Sequence, residues 1–165
     1  MKRHTSKSQY WIRPGAFGSR SIFGVLADEN SNTVWACSND LSAIGVLVAG
    51  CDSKSTLKGF DLKTGAGKVS AVLPNEHSLC NDIAVGQDGS VFVTNSAAPE
   101  ILRLPPGSQR LEVWITDSLL QAPAGAAALT PERTGDFAGA QGHFRFLKNL
   151  SSKRTYDDVQ PFLSD

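Results

Sequence analysis

The sequence predicts an all-β protein of the β-propeller type, because one supersecondary unit occurs twice in its 165 residues. Val25–Cys37 aligns with Ile83–Thr94, with one extra residue in the turn of the first copy. Gly59–Gly65 aligns with Ile101–Gly107. Each copy has the pattern of four strands joined by tight turns, which is typical of a blade with a period of roughly 40–50 residues. We therefore expect about two four-stranded antiparallel blades within residues 21–120.

The composition supports this fold and excludes two kinds of partner. The 15 glycines and 8 prolines suit a turn-rich β protein, and a hydrophobic content of 41% allows a packed core. Sixteen basic residues balance sixteen acidic ones, so we expect neither a nucleic-acid partner nor an anionic membrane surface. No segment approaches the roughly 18 apolar residues of a membrane span.

The first 20 residues contain five basic side chains and no acidic one, which predicts a basic, flexible leader. This leader lacks the apolar stretch of about 7–15 residues that a signal peptide needs. The cytoplasm is therefore the expected compartment, and the periplasm or secretion is the alternative.

Three cysteines, Cys37, Cys51 and Cys80, cannot form a complete set of internal disulfides, and their spacing matches no zinc pattern. Cys37 falls within a predicted strand. We expect it to be a small core residue.

The first blade begins with a hairpin over Ile22–Asn39 that turns at Asp28–Asn32. Its return strand is apolar on both sides, as expected for a strand between two neighbouring blades. Leu57–Leu62 and Lys68–Leu73 form the outer hairpin. The turn between these two strands contains the glycines that positive φ angles require.

An insertion over Asp40–Thr56 distinguishes the first copy from the second. It contains the apolar run Ile44–Gly50. This run is an extra buried strand, a lid over a pocket or a sticky interface, and the sequence leaves these three alternatives open.

The second blade has its inner hairpin over Asn81–Asn95, with an Asp-Gly turn at Gln87–Gly89. Its outer strands are Glu100–Leu104 and Leu111–Ile115. The repeat then stops. Residues 121–165 are expected to be an Ala/Gly/Pro linker followed by a weakly ordered or non-homologous tail, as a truncation or a frameshift would produce.

The run from Leu79 to Ser96, which opens Leu-Cys-Asn-Asp-Ile-Ala-Val, resembles the SMP-30/gluconolactonase/LRE-like group, which includes the regucalcin-like propellers. Ala27–Asn32 and Leu57–Gly65 fit the same group, and the resemblance covers roughly Ile22 to Leu120. It implies a six-bladed propeller with a divalent cation, calcium, magnesium, manganese or zinc, in its central channel. The implied reaction is hydrolysis of a sugar lactone, with the cation polarising the carbonyl and a carboxylate acting as general base.

The resemblance assigns Asn81 as metal ligand and substrate contact and Asp82 as the catalytic carboxylate, and Asn39 is a further candidate for substrate binding. In a regular strand only one of Asn81 and Asp82 can face the channel. The alternative is that the pair merely caps the strand. Glu76 and His77, in the preceding loop, are expected to be surface residues.

Two departures from the family leave two functional hypotheses. Phe23 stands where the family has a metal-binding Glu, and nothing after Leu120 resembles the later blades. The first hypothesis is a truncated lactonase-type hydrolase with weak or no activity and a small-molecule lactone as ligand. The second is a non-catalytic propeller-type binding or structural module, able to self-associate through exposed blade edges.

Overall fold

A computed structural model describes residues 10–46, 50, 52–118, 120, 122–125, 127–128 and 144–145. Its regular structure is almost entirely strand, and its two helices are single 3-10 turns at Ala16–Gly18 and Ser42–Ile44. Eight strands form two four-stranded antiparallel sheets. Sheet A contains β1 Ser21–Asp28, β2 Thr33–Asn39, β3 Thr56–Asp61 and β4 Gly67–Val72; sheet B contains β5 Cys80–Val85, β6 Val91–Asn95, β7 Glu100–Leu104 and β8 Glu112–Thr116.

The predicted all-β class and the two four-stranded antiparallel sheets are confirmed. Strands follow one another in chain order, β1-β2-β3-β4 in sheet A and β5-β6-β7-β8 in sheet B. Each sheet is therefore a meander whose first strand lies at one edge. This order results from short turns that join neighbouring antiparallel strands.

Aspartates close the inner hairpin of each sheet. In sheet A the Asp28 carboxylate accepts the backbone N–H of Asn30 at 3.1 Å. In sheet B the Asp88 carboxylate accepts the Ser90 backbone N–H at 2.9 Å, and Gly89 has a φ of 79°. These local side-chain bonds compete with strand continuation and fix the turns where the sequence predicts them.

The first ladder of each sheet contains a bulge near its start. Three steps along β1, from Ile22 to Val25, oppose two steps along β2. Three steps along β5, from Cys80 to Ile83, oppose two steps along β6. The extra residue lies at the corresponding place in both sheets, between the strand opening and the regular ladder.

The two sheets pack face to face around one apolar core. Trp35, Cys37 and Leu57 from sheet A contact a cluster that includes Val93 and Leu102 from sheet B. The first strands of the two sheets also meet directly, and a Cβ added to Gly24 of β1 would lie 2.2 Å from the Asn81 carbonyl oxygen. Only glycine permits this approach of the two backbones.

A disulfide bond between Cys37 and Cys80 joins the two sheets. Both residues are fully buried, so Cys37 does belong to the core. The expectation that it is a small core residue is confirmed; in addition, its sulfur is covalently paired with a partner 43 residues away, which the sequence argument did not predict. Cys51 lies outside the described residues.

Residues 10–20, the described part of the predicted leader, pack on the face of sheet A that points away from sheet B. The Phe17 ring lies edge-on to the Phe60 ring, with centroids 6.1 Å apart, and 5.0 Å from the Lys58 ammonium. The Arg20 backbone N–H donates to the Ser38 hydroxyl at 2.9 Å. Lys58 is almost fully buried there and forms a salt bridge with Asp52.

The described part of the insertion forms no buried strand. Ser42–Ile44 is a 3-10 turn, Ile44 is 75% exposed and Val46 is exposed as well. The extra-strand alternative is therefore wrong for these residues, because the turn ends at Gly45 with a φ of 89° instead of extending. Leu47–Ala49 lie outside the described residues.

The described part of the predicted linker lies in contact with sheet B. Pro123 is buried, and the two-residue strand β9, Ala127–Ala128, contacts β5 and pairs with β10, Phe144–Arg145. The remainder of the predicted tail, 129–143 and 146–165, lies outside the described residues.

Candidate functional site

The candidate site is the opening of β5, defined here as Cys80, Asn81 and Asp82 with Ser96 and Pro123 beside them. Asn81 and Asp82 lie within the bulge of β5, directly after Cys80, and Ser96 directly follows β6, the neighbouring strand. The opening of β1 lies against this strand through Gly24. The site is thus formed where sheet A, sheet B and the chain segment after β8 meet.

Asn81 is half-buried and belongs to a short chain of hydrogen bonds. Its side-chain Nδ2 donates to the Ser96 hydroxyl at 2.8 Å, and that hydroxyl donates to the Pro123 carbonyl oxygen at 2.7 Å. Among the residues that the structure describes, none donates a hydrogen bond to Asn81 Oδ1. This oxygen is therefore the acceptor that the site offers to a ligand.

Asp82 is half-buried next to Asn81. Its backbone N–H donates to the Thr94 hydroxyl at 3.0 Å, and its Oδ1 accepts the Ile83 backbone N–H at 2.9 Å. Its Oδ2 would lie 3.9 Å from a Cβ placed on Gly125. These bonds hold a carboxylate at the boundary between β5 and the segment that follows sheet B.

The bulge in β5 changes the expected direction of these two side chains. The sequence argument assumes strict alternation, which would allow only one of Asn81 and Asp82 to face the channel. The prediction applies to a regular strand, and that condition is not met here, because the extra residue lies between Cys80 and Ile83. A bulge interrupts the alternation and re-aims a side chain, so the pair is not restricted to opposite faces by the pleat.

Asn39, the other predicted substrate contact, is fully buried at the end of β2. Its Nδ2 donates to the Cys80 carbonyl oxygen at 2.7 Å, and its Oδ1 accepts the Cys80 backbone N–H at 2.9 Å. The amide thus pairs with the Cys80 backbone as a neighbouring strand would. Asn39 helps to join the two sheets, while its contact with a substrate stays a prediction.

Glu76 and His77 are exposed in the loop before β5, as expected. The sequence argument missed Ser96 and Pro123. Ser96 occupies the place in the second repeat that Asn39 occupies in the first. Asn39 follows Ser38, the partner of Ile22 at the start of the first bulge, and Ser96 follows Asn95, the partner of Cys80 at the start of the second. That correspondence is the one signal that points to Ser96.

The residues of the site do not make a complete divalent-cation centre. They supply one free amide oxygen and one carboxylate, whereas a hard cation takes about six or more oxygens. Within the described ranges, no group of three or more His, Cys, Asp and Glu side chains is placed to hold a metal ion. Phe23, at the opening of β1, adds no donor to this set.

No family model matches this chain, and no curated protein matches it either. In the part of the chain that the structure describes, no helix has the length and apolar character needed to cross a membrane.

Proposed function

We propose that this chain is a β-propeller of the SMP-30/gluconolactonase/LRE-like type, in which sheets A and B are two of six blades. The β5 opening would bind a sugar lactone or a closely related small molecule, with weak or no hydrolysis. The observation that carries this proposal is the half-buried Asn81, with an open acceptor oxygen beside the Asp82 carboxylate, where successive repeats meet.

The propeller arrangement is supported by a contact that recurs from one repeat to the next. Asn39 at the end of β2 donates to the carbonyl of Cys80, which opens the following repeat. Ser96 after β6 donates in the same way to the carbonyl of Pro123.

A second recurring contact involves the strand openings. Gly24 of β1 lies against the Asn81 backbone of β5, and Asp82 of β5 lies against Gly125, just before β9. Gly24 and Asp82 occupy equivalent places at the two bulges, and each faces the chain segment that follows its own sheet, as expected for blades arranged around an axis.

Binding is better supported than catalysis. Asn81 Oδ1 can accept a hydrogen bond from a hydroxyl group, and the Asp82 carboxylate adds negative charge beside it. Polarisation of a lactone carbonyl needs a cation, and the described residues offer too few ligands to balance the dehydration cost of one. We therefore derive no reaction step through a metal ion.

A purely structural module is the second candidate, and a specific observation favours it. The Cys37–Cys80 disulfide and the Asn39–Cys80 hydrogen bonds join the two sheets. All three residues are fully buried, so these bonds serve the structure and are not exposed to a ligand. Ile22, Phe23 and Val25 expose apolar surface on the edge strand β1, which supports self-association through a blade edge.

The disulfide also bears on the compartment. Disulfides persist in oxidising surroundings and are rare in the cytosol. We infer that the periplasmic or secreted alternative is better supported than the cytoplasmic one.

Titration of the full chain separates the two candidates. We expect glucono-1,5-lactone to bind with a dissociation constant on the order of millimolar in saturation-transfer NMR, and Ca²⁺, Mn²⁺ and Zn²⁺ to bind weakly or not at all in calorimetry. Asn81→Ala should weaken lactone binding about tenfold, because it removes the acceptor oxygen. Asn30→Ala, in an exposed turn of sheet A, is the matched control. Unchanged affinity in Asn81→Ala, or tight binding centred on His77, would contradict the proposed site.

A further inference from the structure

We propose that Ser96 is a positioning residue that fixes the side-chain amide of Asn81 with its oxygen toward the ligand. The site would thereby select a molecule that donates a hydrogen bond from a hydroxyl group. This inference rests on the proposed function, since it names how the same site orients its acceptor. It is carried by the hydrogen-bond chain from Asn81 through Ser96 to Pro123.

The direction of that chain follows from counting hydrogens. The Pro123 carbonyl oxygen can only accept, so the single hydroxyl hydrogen of Ser96 is directed to it at 2.7 Å. The Ser96 oxygen then has only lone pairs left for Asn81, 2.8 Å away. Only the NH2 group of the amide can satisfy them, and the amide oxygen must therefore point to the other side.

The backbones of both residues are held in place. The Ser96 backbone N–H donates to the Leu79 carbonyl at 2.9 Å, which fixes the end of β6 beside the chain that enters β5. Cys80, directly before Asn81, is held by the disulfide and by Asn39. Because neither backbone is free to shift, loss of the Ser96 hydroxyl would release the Asn81 amide alone.

The orientation determines the ligand class. With Oδ1 outward, Asn81 accepts a hydrogen from a hydroxyl group, and polyhydroxylated molecules such as sugar lactones present several. With the amide reversed, the NH2 group would face the ligand and would favour an acceptor instead. A rotating amide must also lose this freedom on binding, which weakens affinity.

The first measurement concerns the amide itself and needs no ligand. In 15N-labelled full-length protein, the side-chain NH2 signals of Asn81 should exchange with solvent at least about threefold faster in Ser96→Ala than in the native chain, because one hydrogen bond is lost. Ser96→Thr keeps the hydroxyl and should restore slow exchange. Equal exchange rates in the native chain and Ser96→Ala would overturn the proposed orientation.

The second measurement uses glucono-1,5-lactone as the probe. Ser96→Ala should weaken its binding about three- to tenfold, and Ser96→Thr should regain most of the affinity. Native affinity in Ser96→Ala, together with faster amide exchange, would overturn the positioning role. If the native chain binds no lactone, the proposed function fails, while the amide exchange still decides whether Ser96 orients Asn81. Backbone amide spectra that overlay on the native spectrum identify variants that fold normally.

Discussion

At the bulge that opens their first strands, sheet A has Phe23 and Gly24, whereas sheet B has Asn81 and Asp82. The backbone geometry corresponds, but the chemistry differs. Gly24 provides the clearance that lets β1 approach the Asn81 carbonyl, and sheet B provides the polar groups. The comparison teaches that the bulge is a structural feature of the repeat, and that only one repeat places hydrogen-bonding side chains there.

The equivalent residues at the ends of the second strands, Asn39 in sheet A and Ser96 in sheet B, also differ in their hydrogen bonds. The amide of Asn39 is fully buried and makes two hydrogen bonds to the Cys80 backbone, one from its nitrogen and one to its oxygen. The smaller hydroxyl of Ser96 makes one such bond to Pro123 and accepts one from Asn81. Sheets A and B are thus joined by two side-chain hydrogen bonds at this place, whereas sheet B is joined to the Pro123 segment by one.

Removal of the disulfide should have the largest effect on the boundary between the sheets. In Cys37→Ser/Cys80→Ser the free energy of unfolding should fall by about 4 kcal/mol, the loop-entropy value for a closed loop of this length. Chemical denaturation without reductant measures it. Cys51→Ser is the control and should unfold as the native chain does. If the protein with the unaltered sequence, denatured without reductant, shows three reactive thiols, the pairing is contradicted.

The close approach of the strand openings gives the next largest effect. Gly24→Ala should lower the free energy of unfolding by about 1–3 kcal/mol, since the added Cβ would meet the Asn81 carbonyl oxygen at 2.2 Å. Gly125→Ala is matched to it, because its Cβ would lie 3.9 Å from Asp82 Oδ2 and should change stability by less than about 0.5 kcal/mol. Equal losses of stability in the two variants, measured by thermal unfolding, would contradict the expected difference in clearance at Gly24 and Gly125.

A smaller effect, on the pH dependence of stability, is expected at the outer turn of sheet A. The backbone N–H of Thr64, followed by its hydroxyl, lowers the pKa of Asp61 from its ordinary value of 3.8. Because the folded pKa lies below the unfolded one, the stabilisation is present above about pH 4 and is lost as the pH falls through the folded pKa. The stability difference between the native chain and Asp61→Asn should therefore shrink on acidification. Glu76→Gln is the control, and a difference that is constant with pH would contradict this assignment.

The sequence by itself determined the strands and the inner turns. Alternating apolar residues and the Asp-Gly turn act locally, over neighbours in the chain, so the ranges Val91–Asn95 and Glu100–Leu104 could be predicted as strands. Asn81 and Asp82 stand at the start of the predicted inner hairpin, and their assignment as site residues came from the family resemblance of Leu79–Ser96. The alignment of Gly59–Gly65 with Ile101–Gly107 is wrong by two residues. The ladders make Phe60 equivalent to Leu104, so Gly65 and Gly107 fall at different places in their turns.

Only the tertiary structure decided which side chains meet across repeats. The pairing of Cys37 with Cys80, the role of Asn39 and the contact of Ser96 with Pro123 each join residues far apart in sequence. The bulge in β5 likewise depends on how β6 pairs with it, and it removes the alternation that the sequence argument assumed. Local patterns determine the hairpins, because a turn and its strands are formed by neighbours. The packing of sheets, and the groups left free by it, depend on long-range contacts that no local pattern encodes.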